Sequence, residues 1–304
     1  MTSIRGTSIR RGEPDDAQAC HEIMWTSVTD LGRRNGTPLE GSAAEWWASG
    51  ESLQRFLAAH AAEWWVAAEP DGGALIGYAR SIQRGNLLEL VEFFVMPTRQ
   101  SAGVGRALLE RAFPLERGDI RSIIATTDVR ALSRYYRAGT VARFPMLTLG
   151  GMPANAQPPL GLSADAIDVE SAEDRRILHE IDKSVLEYGR EEAEIRWLLA
   201  DREGFLYRRG GEAIGFGFMG HGGTGPIAVL DADDVPGILL HLEGRAFATD
   251  IKRLDFQVPA PNEVATRHLL SRGFQLDPWL NVLMSNRPFG RFDRLVSFGP
   301  PVFL

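Results

Sequence analysis

The sequence has a single cysteine, Cys20, so no internal disulfide bond can form. A chain without disulfides fits the reducing cytoplasm. No apolar run approaches the roughly 20 residues that a membrane-spanning helix needs. The first eleven residues are polar and lack the apolar segment of a secretory signal. We therefore expect a cytoplasmic protein that does not interact with a membrane.

The chain has fewer basic than acidic residues. The chain has 33 Lys and Arg against 40 Asp and Glu, a net charge of -7, and its only lysines are Lys183 and Lys252. Nucleic-acid binding needs a concentrated basic surface, so nucleic acid is not an expected partner. The six histidines lack the spacing of a metal motif, and no second cysteine could complete a thiolate site. The sequence thus predicts no metal.

A length of 304 residues, with 44% hydrophobic and 24% charged residues, indicates a soluble globular protein of two domains. The clearest break is residues 150–161, GGMPANAQPPLG, which combine glycine and proline with almost no charge and are typical of a linker. We predict a domain over 1–150, a linker over 151–161 and a domain over 162–304. The two halves share a similar order of strands and helices, which predicts divergent copies.

Apolar periodicity and turn residues predict the elements of each half. In the first half the predicted strands are residues 8–10, 64–68, 74–83, 87–96 and 122–127, with helices starting at Glu13 and spanning 131–137. The region between 25 and 60 carries no diagnostic motif and is expected to consist of loops. In the second half the predicted strands are residues 205–208, 213–219 and 225–230.

The most informative segment is residues 89–109, ELVEFFVMPTRQSAGVGRALL. A strand ends at Pro97, which has no N–H for a continuing ladder, and Gly103 and Gly105 let the backbone approach a ligand closely. The free N–H groups of the next helical turn, together with the helix dipole, form an anion site. Arg99 and Arg106 add positive charge, so this segment is predicted to bind a pyrophosphate.

Other phosphate-binding folds also place a glycine-bearing turn between a strand and a helix. The chain has no G-x-x-x-x-G-K-[ST] segment, and this strand is the fourth of its half, whereas a dinucleotide fold uses its first. The Q-x-x-G-x-G pattern of Gln100, Gly103 and Gly105, after a strand ending in V-x-P, instead resembles the acetyl-CoA loop of the GNAT N-acetyltransferases. The resemblance covers about residues 7–150.

The resemblance implies a fold and a cofactor. The fold is α+β (mixed α/β), with two tandem GNAT-like domains, each a twisted, mostly antiparallel sheet with a parallel strand pair at a splayed cofactor cleft, flanked by helices. Acetyl-CoA would be the cosubstrate, with its pantetheine arm paired to the backbone of Phe94 to Met96 and its carbonyl polarised by the Val95 N–H. The implied cofactor-binding residues are Phe94, Val95, Met96, Arg99, Gln100, Ser101, Ala102, Gly103, Val104, Gly105 and Arg106.

Residues 131–139, ALSRYYRAG, resemble the family's A-x-x-x-x-Y-x-x-G helix, whose tyrosine protonates the leaving thiolate. By that spacing Tyr136 is the implied acid, and Tyr135, one residue earlier, is the alternative. The chain departs from the family at Thr140, where phenylalanine is common. It departs again at Asp128, where asparagine is common.

Two carboxylates are candidates for the base that takes the proton from the acceptor amine. Glu89 lies fourteen residues before Gly103, where several family members carry a glutamate base, and Glu92 is its competitor. In a regular strand the two would face opposite sides, so only one would line the cleft, although this family commonly distorts the strand. A chain of water molecules could also remove the proton, and both glutamates could be solvated strand residues.

The acceptor side is less well marked. Trp46 and Trp47 lie where the family builds part of its acceptor cleft, and they either hold a cationic amine by cation–π contact or close the hydrophobic core. His21 is expected to be a satisfied or exposed histidine. Cys20 is expected to be a small buried residue.

The second half repeats the plan without the glycine loop. Asp231, Asp233 and Asp234 stand at the position of the loop, where their charges would repel a pyrophosphate, and Leu270 replaces the tyrosine. This degenerate copy is expected not to bind acetyl-CoA, and to wall the acceptor cleft or mediate dimerisation. The apolar tail, residues 288–304, is expected to pack on the C-terminal domain or across a dimer interface.

The sequence therefore predicts an N-acetyltransferase that moves an acetyl group directly from acetyl-CoA to a primary amine of a small molecule or peptide. The alternative is a non-catalytic acyl-CoA-binding sensor or assembly subunit built from tandem GNAT modules. A homodimer is one possible assembly. The sequence identifies neither the acceptor nor the acyl-chain preference.

Overall fold

A computed structural model describes residues 2–4, 6–70, 73–100, 103–221, 223–299 and 302–303. Ser101 and Ala102, both predicted to bind the cofactor, lie outside these residues. The chain divides into two compact units. Unit 1 comprises residues 1–141 and 284–287, and unit 2 comprises 142–283 and 288–304. The division therefore falls earlier than the predicted boundary at 150, and a short C-terminal segment belongs to unit 1.

Unit 1 follows the order two strands, two helices, three strands, helix, strand, helix. Its elements are β1 (Thr2–Ile4), β2 (Thr7–Arg11), α1 (Ala17–Asn35), α2 (Ala43–His60), β3 (Glu63–Ala68), β4 (Leu75–Arg84), β5 (Leu87–Val95), α3 (Val104–Ala112), β6 (Ile120–Thr126) and α4 (Val129–Arg137). The strands form a sheet in the order β1-β2-β3-β4-β5-β6. All neighbours are antiparallel except the parallel pair β5 and β6. This mixed sheet with one parallel pair is the predicted fold class.

The segment 284–287 completes unit 1 beside β6. The amide Nδ2 of Asn286 donates a hydrogen bond to Asp119 O at 3.0 Å, and its Oδ1 accepts one from the Arg121 N–H at 2.8 Å. The Asn286 N–H donates to Arg121 O at 3.1 Å. These three bonds satisfy backbone groups that β6 would otherwise leave unpaired.

Most of the region between residues 25 and 60 is helical, so the prediction of loops there was wrong. Helix α1 runs on to Asn35, and α2 begins at Ala43 with a capping box. The Glu45 N–H donates to Ser42 Oγ at 3.3 Å, and the Glu45 carboxylate accepts from the Ser42 N–H at 2.7 Å. This S-x-x-E pattern is a helix-start signal that the sequence does contain.

Strand β5 is irregular where it leaves its parallel neighbour. In the ladder with β4, Ser81 pairs with Leu90 but Arg80 pairs with Glu92, which makes Val91 a β-bulge. The ladder with β6 ends at the pair of Leu90 and Ile123, whereas β5 continues to Val95. The two strands therefore separate beyond Leu90. We call the gap between them wedge 1.

The bulge also places both glutamates on one face of the sheet. Glu89 lies opposite Ile82 and Glu92 opposite Arg80, and these two partners are two residues apart on the regular strand β4. Residues two apart on a strand share a face, so their partners share that face as well. The expectation from simple alternation, that the two glutamates face opposite sides, was therefore wrong.

Unit 2 repeats the element order of unit 1. Its elements are β7 (Val141–Gly151), β8 (Leu162–Ala166), α5 (Ala172–Leu186), α6 (Glu192–Leu199), β9 (Glu203–Arg209), β10 (Glu212–Gly220), β11 (Gly223–Val229), α7 (Val235–Ala248), β12 (Leu254–Pro259), α8 (Glu263–Ser271), β13 (Gln275–Leu276), β14 (Asn281–Ser285) and β15 (Leu295–Val296). One sheet has the order β15-β11-β10-β9-β8, and β7 pairs with β12 and β13. Strand by strand, β8 to α8 correspond to β2 to α4.

The tail and the linker both pack on unit 2. In the tail, Phe292, Leu295 and Phe303 are at most 4% exposed, and burial of this kind is what the prediction of a docked tail expects. The predicted linker runs beside α7, where the Ala154 N–H donates to Glu243 Oε1 at 3.1 Å. Segments held in this way belong to the folded unit.

Candidate functional site

The predicted cofactor loop forms a turn between β5 and α3. The Gln100 side chain donates to Val95 O at 3.2 Å, which folds the turn back onto the end of β5. Gly103 caps α3 with a φ of 87°, a left-handed conformation that favours glycine. The first bond of the helix is from the Ala107 N–H to Gly103 O at 3.2 Å. The N–H groups of Val104, Gly105 and Arg106 therefore have no partner within the helix and point to its N-terminal end.

Backbone direction distinguishes the residues at the end of β5. The Met96 N–H donates to Ile76 O at 2.9 Å, towards β4. Alternate residues of an antiparallel strand direct their N–H groups to the same neighbour, so Phe94 also faces β4 and Val95 faces wedge 1. The stretch from Phe94 to Met96 was expected to pair with a pantetheine arm. Of these three residues, only Val95 directs its N–H group into wedge 1.

Gly105 lies at the meeting point of three elements. A Cβ atom on Gly105 would lie 3.2 Å from Phe93 Cζ, 3.5 Å from Val95 Cγ2 and 3.6 Å from Arg134 Cζ. The first distance is shorter than ordinary van der Waals contact, so this position has no room for a larger side chain. The third places the guanidinium of Arg134, on α4, beside the first turn of α3.

The two arginines of the loop are paired with carboxylates. Arg99 forms an ion pair with Glu69, and Arg106 forms one with Glu110 at 2.7 Å. Their side chains are 55% and 80% exposed, respectively. Among the described residues, Arg134 has no ion pair or hydrogen bond through its guanidinium, although it is partly buried. A cation at the positive end of a helix is unfavourable without an anion nearby, which makes Arg134 the arginine best placed for a phosphate.

The two tyrosines of α4 differ in burial. Tyr135 is 6% exposed, and its ring meets Phe93 edge to face at a centroid distance of 6.0 Å. Burial raises the pKa of Tyr135 above its ordinary value, so its hydroxyl keeps its proton at neutral pH. Tyr136 is 52% exposed. The spacing argument preferred Tyr136, but Tyr135 is the tyrosine in contact with β5.

Both candidate bases are buried and paired with arginines. Glu89 has no exposed surface, and its Oε2 lies 3.3 Å from Arg84 Nη1. Glu92 is 4% exposed, accepts from Gln54 Nε2 at 2.6 Å, and lies 3.3 Å from Arg80 Nη1. Neither is a solvated strand residue. At about 3.4 Å per residue, Glu92 is roughly 10 Å nearer to Val95 along the strand than Glu89 is.

A cluster of buried polar groups surrounds Glu92. Tyr78 and Arg80 are fully buried and His21 is 2% exposed. Hydrogen bonds satisfy this cluster only in part: Nε and Nη2 of Arg80 have no hydrogen-bond partner among the described residues, and Glu92 Oε2 lies 3.3 Å from Arg80 Nη1. Burial lowers the pKa of His21 and raises that of Tyr78, so both are neutral near pH 7. Of the two alternatives predicted for His21, satisfied or exposed, its burial excludes the second.

The two tryptophans predicted for the acceptor side, and Cys20, pack against neighbouring side chains. The Trp47 ring meets the His21 ring edge to face at 5.3 Å, and Trp46 packs on Trp25 at 4.9 Å. Trp46 is 36% exposed, and its Nε1 donates to Glu40 O at 3.1 Å. Cys20 is fully buried, and burial raises the pKa of its thiol to about 12, so it is an inert core residue as predicted.

The matching junction of unit 2 is acidic and covered. Asp231 and Asp233 stand at the turn after β11, and the buried Asp234 forms an ion pair with Arg209. Pro236 supplies no N–H to the first turn of α7. A Cβ atom on Gly237 would lie 3.2 Å from side-chain atoms of both Pro159 and Leu162, so the chain covers this turn.

Sequence reasoning missed Arg134 and the role of α2. The arginine sits next to Tyr135, but only the rotation of α4 shows that it faces Gly105. The helix α2 supplies Gln54 to the Glu92 cluster, and its start is encoded in the pattern of Ser42 and Glu45. Among the described residues no group of side chains could hold a metal, and no helix is long and apolar enough to cross a membrane.

Comparison with known proteins agrees with this geometry. Residues 20–139 match the family model described as the acetyltransferase (GNAT) family. No curated protein matches the sequence. Among solved structures, a candidate acetyltransferase from Pyrococcus horikoshii has 16% identity and a TM-score of 0.73, covering 100% of this chain and 97% of its own. A GCN5-related N-acetyltransferase from Sphaerobacter thermophilus has 18% identity and a TM-score of 0.64, covering 95% and 98%.

A tandem GNAT protein from the clavulanic acid biosynthesis pathway has 15% identity and a TM-score of 0.53, covering 93% of this chain and 99% of its own. Likenesses at this level of identity show the fold, which here extends over both units. The family match and the fold together show that the chain contains, over residues 20–139, a domain of the GNAT acetyltransferase family.

Proposed function

We propose that unit 1 binds acetyl-CoA in wedge 1 and transfers the acetyl group to a primary amine of a small molecule or peptide. The observation that carries the proposal is the separation of β5 from β6 after Leu90, directly before the glycine turn and the open first turn of α3. The free edge of β5 offers N–H donors to an extended amide-bearing arm, and the N-terminus of α3, which follows it in the chain, offers N–H donors to a pyrophosphate.

The proposed donors are few and specific. The N–H groups of Val104, Gly105 and Arg106 hold the pyrophosphate, and the guanidinium of Arg134 supplies the positive charge beside it. The side chains of Arg99 and Arg106 are instead paired with Glu69 and Glu110. The Val95 N–H, which faces wedge 1, polarises the thioester carbonyl and stabilises the charge that develops on its oxygen.

Tyr135 is the proposed general acid. Its neutral hydroxyl, on the same side of β5 as Phe93, donates a proton to the leaving sulfur when the amine attacks the thioester carbonyl. A proton held at neutral pH by burial suits a donor that must not ionise before the reaction.

Glu92 is the proposed acceptor of the amine's proton. It is nearer to Val95 than Glu89 is, and its buried Oε2 is held only by the ion pair with Arg80 at 3.3 Å. The neutral ring of His21, on the neighbouring helix α1, could hold the same proton, because the Glu92 charge favours its protonated form. Trp46 and Trp47 bound the acceptor side, where aromatic faces suit a cationic amine before it loses its proton.

Release of free thiol from acetyl-CoA, measured against a panel of primary amines that includes polyamines, amino acids, aromatic amines and short peptides, tests the proposal. We expect at least one amine to accelerate thiol release above the rate without amine. Tight binding of acetyl-CoA without thiol release for any member of the panel would favour the sensor alternative. No binding would remove both.

A further inference from the structure

The C-terminal segment inserts between two strands of unit 2. Strand β15 pairs antiparallel with β11, through Ile227 with Val296 and Ala228 with Leu295. The next residue, Ser297, forms an antiparallel bridge to Gln257 of β12, and its N–H donates to Gln257 O at 2.9 Å. Because β11 and β12 are both antiparallel to this segment, they run parallel to each other, as β5 and β6 do in unit 1.

The gap between β11 and β12, which we call wedge 2, is thus the counterpart of wedge 1. In unit 1 the ladder between the parallel strands ends and the gap begins. In unit 2 a short strand of the same chain lies in the gap and uses backbone groups of both walls. Its position is the one proposed for a pantetheine arm in unit 1, a likeness that rests on the function proposed for unit 1.

Residues that line wedge 2 bond to this strand or leave space for it. Asn262 caps α8 by accepting from the Ala265 N–H at 2.9 Å, and its Nδ2 donates to Leu295 O at 3.0 Å. At Gly225 a Cβ atom would lie 2.7 Å from Ser297 O, so only glycine lets β11 come this close to the segment. Asn262 is 1% exposed and Ser297 is fully buried, so these contacts are excluded from water.

Apolar side chains fix the segment at both ends. Leu295, Val302 and Phe303 have no exposed surface and Val296 has 1%. The Phe303 ring lies 5.6 Å from that of Phe292, and the Ser297 hydroxyl donates to Val302 O at 2.9 Å. Residues 295–304, LVSFGPPVFL, contain no charged side chain. The segment that fills wedge 2 is therefore extended, uncharged and largely apolar.

We propose that wedge 2 is a peptide-binding site whose resident ligand is the C-terminal segment of the chain itself, so that unit 2 recognises a β-strand where unit 1 recognises a nucleotide. Strand addition supplies affinity through the backbone, and pockets for alternate side chains supply specificity. The peptide site itself does not depend on acetyl-CoA binding to unit 1.

A truncated protein that ends at Arg294 tests the proposal in trans. A synthetic peptide of residues 295–304 is titrated into it by calorimetry and by thermal melting. We expect saturable binding with 1:1 stoichiometry and recovery of the melting temperature lost on truncation. The matched control is the same peptide with Ser297→Pro, which lacks the N–H donated to Gln257 and is expected to bind at least 10-fold more weakly.

Two results would overturn the proposal in a truncated protein that remains folded. One is absence of peptide binding, or equal binding of the two peptides. The other is the appearance of a second acetyl-CoA site, since the segment would then cover a nucleotide cleft. Failure of the full chain to bind any acetyl-CoA would instead concern the function proposed for unit 1, because the peptide titration does not use that site.

A second design covers the case in which the truncated protein does not fold. A protease site inserted between the partly buried Gly290 and the exposed Arg291 allows the folded full chain to be cut. We expect the C-terminal fragment to co-elute with the rest of the chain on gel filtration without denaturant. Release of the fragment from a chain that stays folded would contradict the proposal.

Discussion

Wedge 1 and wedge 2 are two outcomes of the same strand arrangement. In each unit a strand lies beside a parallel neighbour and then turns into a helix. In unit 1 β5 pairs with β6 before the two separate, no strand of the described residues lies in the gap, and the turn carries Gly103 and Gly105. In unit 2 the gap holds the strand Leu295–Val296, and the turn carries Asp231, Asp233 and Asp234. The difference shows that the fold offers hydrogen-bond donors at this place, whereas the local residues decide what they bind.

The two units also differ in how a buried arginine is used. Arg80 of unit 1 shares its Nη1 between Gln54 and Glu92, at 3.3 Å from atoms of each. Arg190 of unit 2 donates twice to Asp182, at 2.8 and 2.9 Å, and its backbone N–H adds a third bond. The tight pair in unit 2 has the geometry of a structural ion pair. The pair in unit 1 is longer, and Arg80 shares it with Gln54.

The largest effect is expected from Asp182→Ala. Removing one partner of a buried ion pair leaves the other charge uncompensated and costs about 3–5 kcal/mol of unfolding free energy. Chemical denaturation, followed by fluorescence, should show this loss, whereas the dissociation constant for acetyl-CoA should stay within about 2-fold. A matching loss of acetyl-CoA affinity in a folded variant would contradict the assignment of the cofactor to unit 1 alone.

Tyr135→Phe and Tyr136→Phe separate the two tyrosines of α4. Loss of a general acid lowers kcat by about 10²- to 10⁴-fold, and we expect this for Tyr135→Phe with little change in acetyl-CoA affinity. Tyr136→Phe, at a half-exposed position, should stay within about 2-fold of the unmodified enzyme. Thiol release at saturating substrate measures both. The reverse order of effects would restore the assignment made from sequence spacing.

Gly105→Glu makes wedge 1 resemble the acidic turn of unit 2. A side chain there would collide with Phe93, 3.2 Å away, and would bring negative charge to the phosphate site. We expect acetyl-CoA to bind at least about 100-fold more weakly, which corresponds to about 2.7 kcal/mol. Gly85→Glu, in an open hairpin turn of the same unit, is the control and should leave binding unchanged. Equal binding by all three proteins would place the cofactor elsewhere.

The smallest effect concerns the caps of the matching helices α4 and α8. Asp128 accepts from the Arg130 N–H at 2.9 Å, and its hydrogen bonds to Arg130 and Arg34 hold its pKa at about 2, below the ordinary 3.8. A lowered folded-state pKa contributes stability above pH 4 that is lost as the pH falls towards 2. Asp128→Asn gives α4 the cap type of α8. Its melting temperature should therefore fall less between pH 5 and pH 3 than that of the unmodified chain.

The sequence predicted features that a few neighbouring residues determine. The glycine turn, the helix dipole and the acidic replacement in unit 2 all follow from residues within one turn of each other. The spacing favoured Tyr136 over Tyr135, whereas the difference in their burial depends on the rotation of α4 against Phe93, which the sequence does not show. The bulge at Val91 arises from pairing with β4, and simple alternation therefore assigned the glutamates to the wrong faces.

Contacts between distant parts of the chain lay beyond sequence reasoning. Asn286 bonds to β6, about 165 residues earlier, and Leu295 pairs with Ala228 in wedge 2. The apolar tail was recognisable as a segment that must dock, because ten uncharged residues at a terminus rarely stay in water. Its place in wedge 2 depends on backbone donors, which have no signature in the sequence. The helix α2 was predictable in principle, because its capping box is a local pattern.

The central claim is that one unit binds the nucleotide and the other does not, and the most direct test is a calorimetric titration of the full chain with acetyl-CoA. The account predicts one site per chain, lost in Gly105→Glu and retained in Asp182→Ala under conditions where that variant is folded. Two sites per chain, or a single site that survives Gly105→Glu, would contradict it.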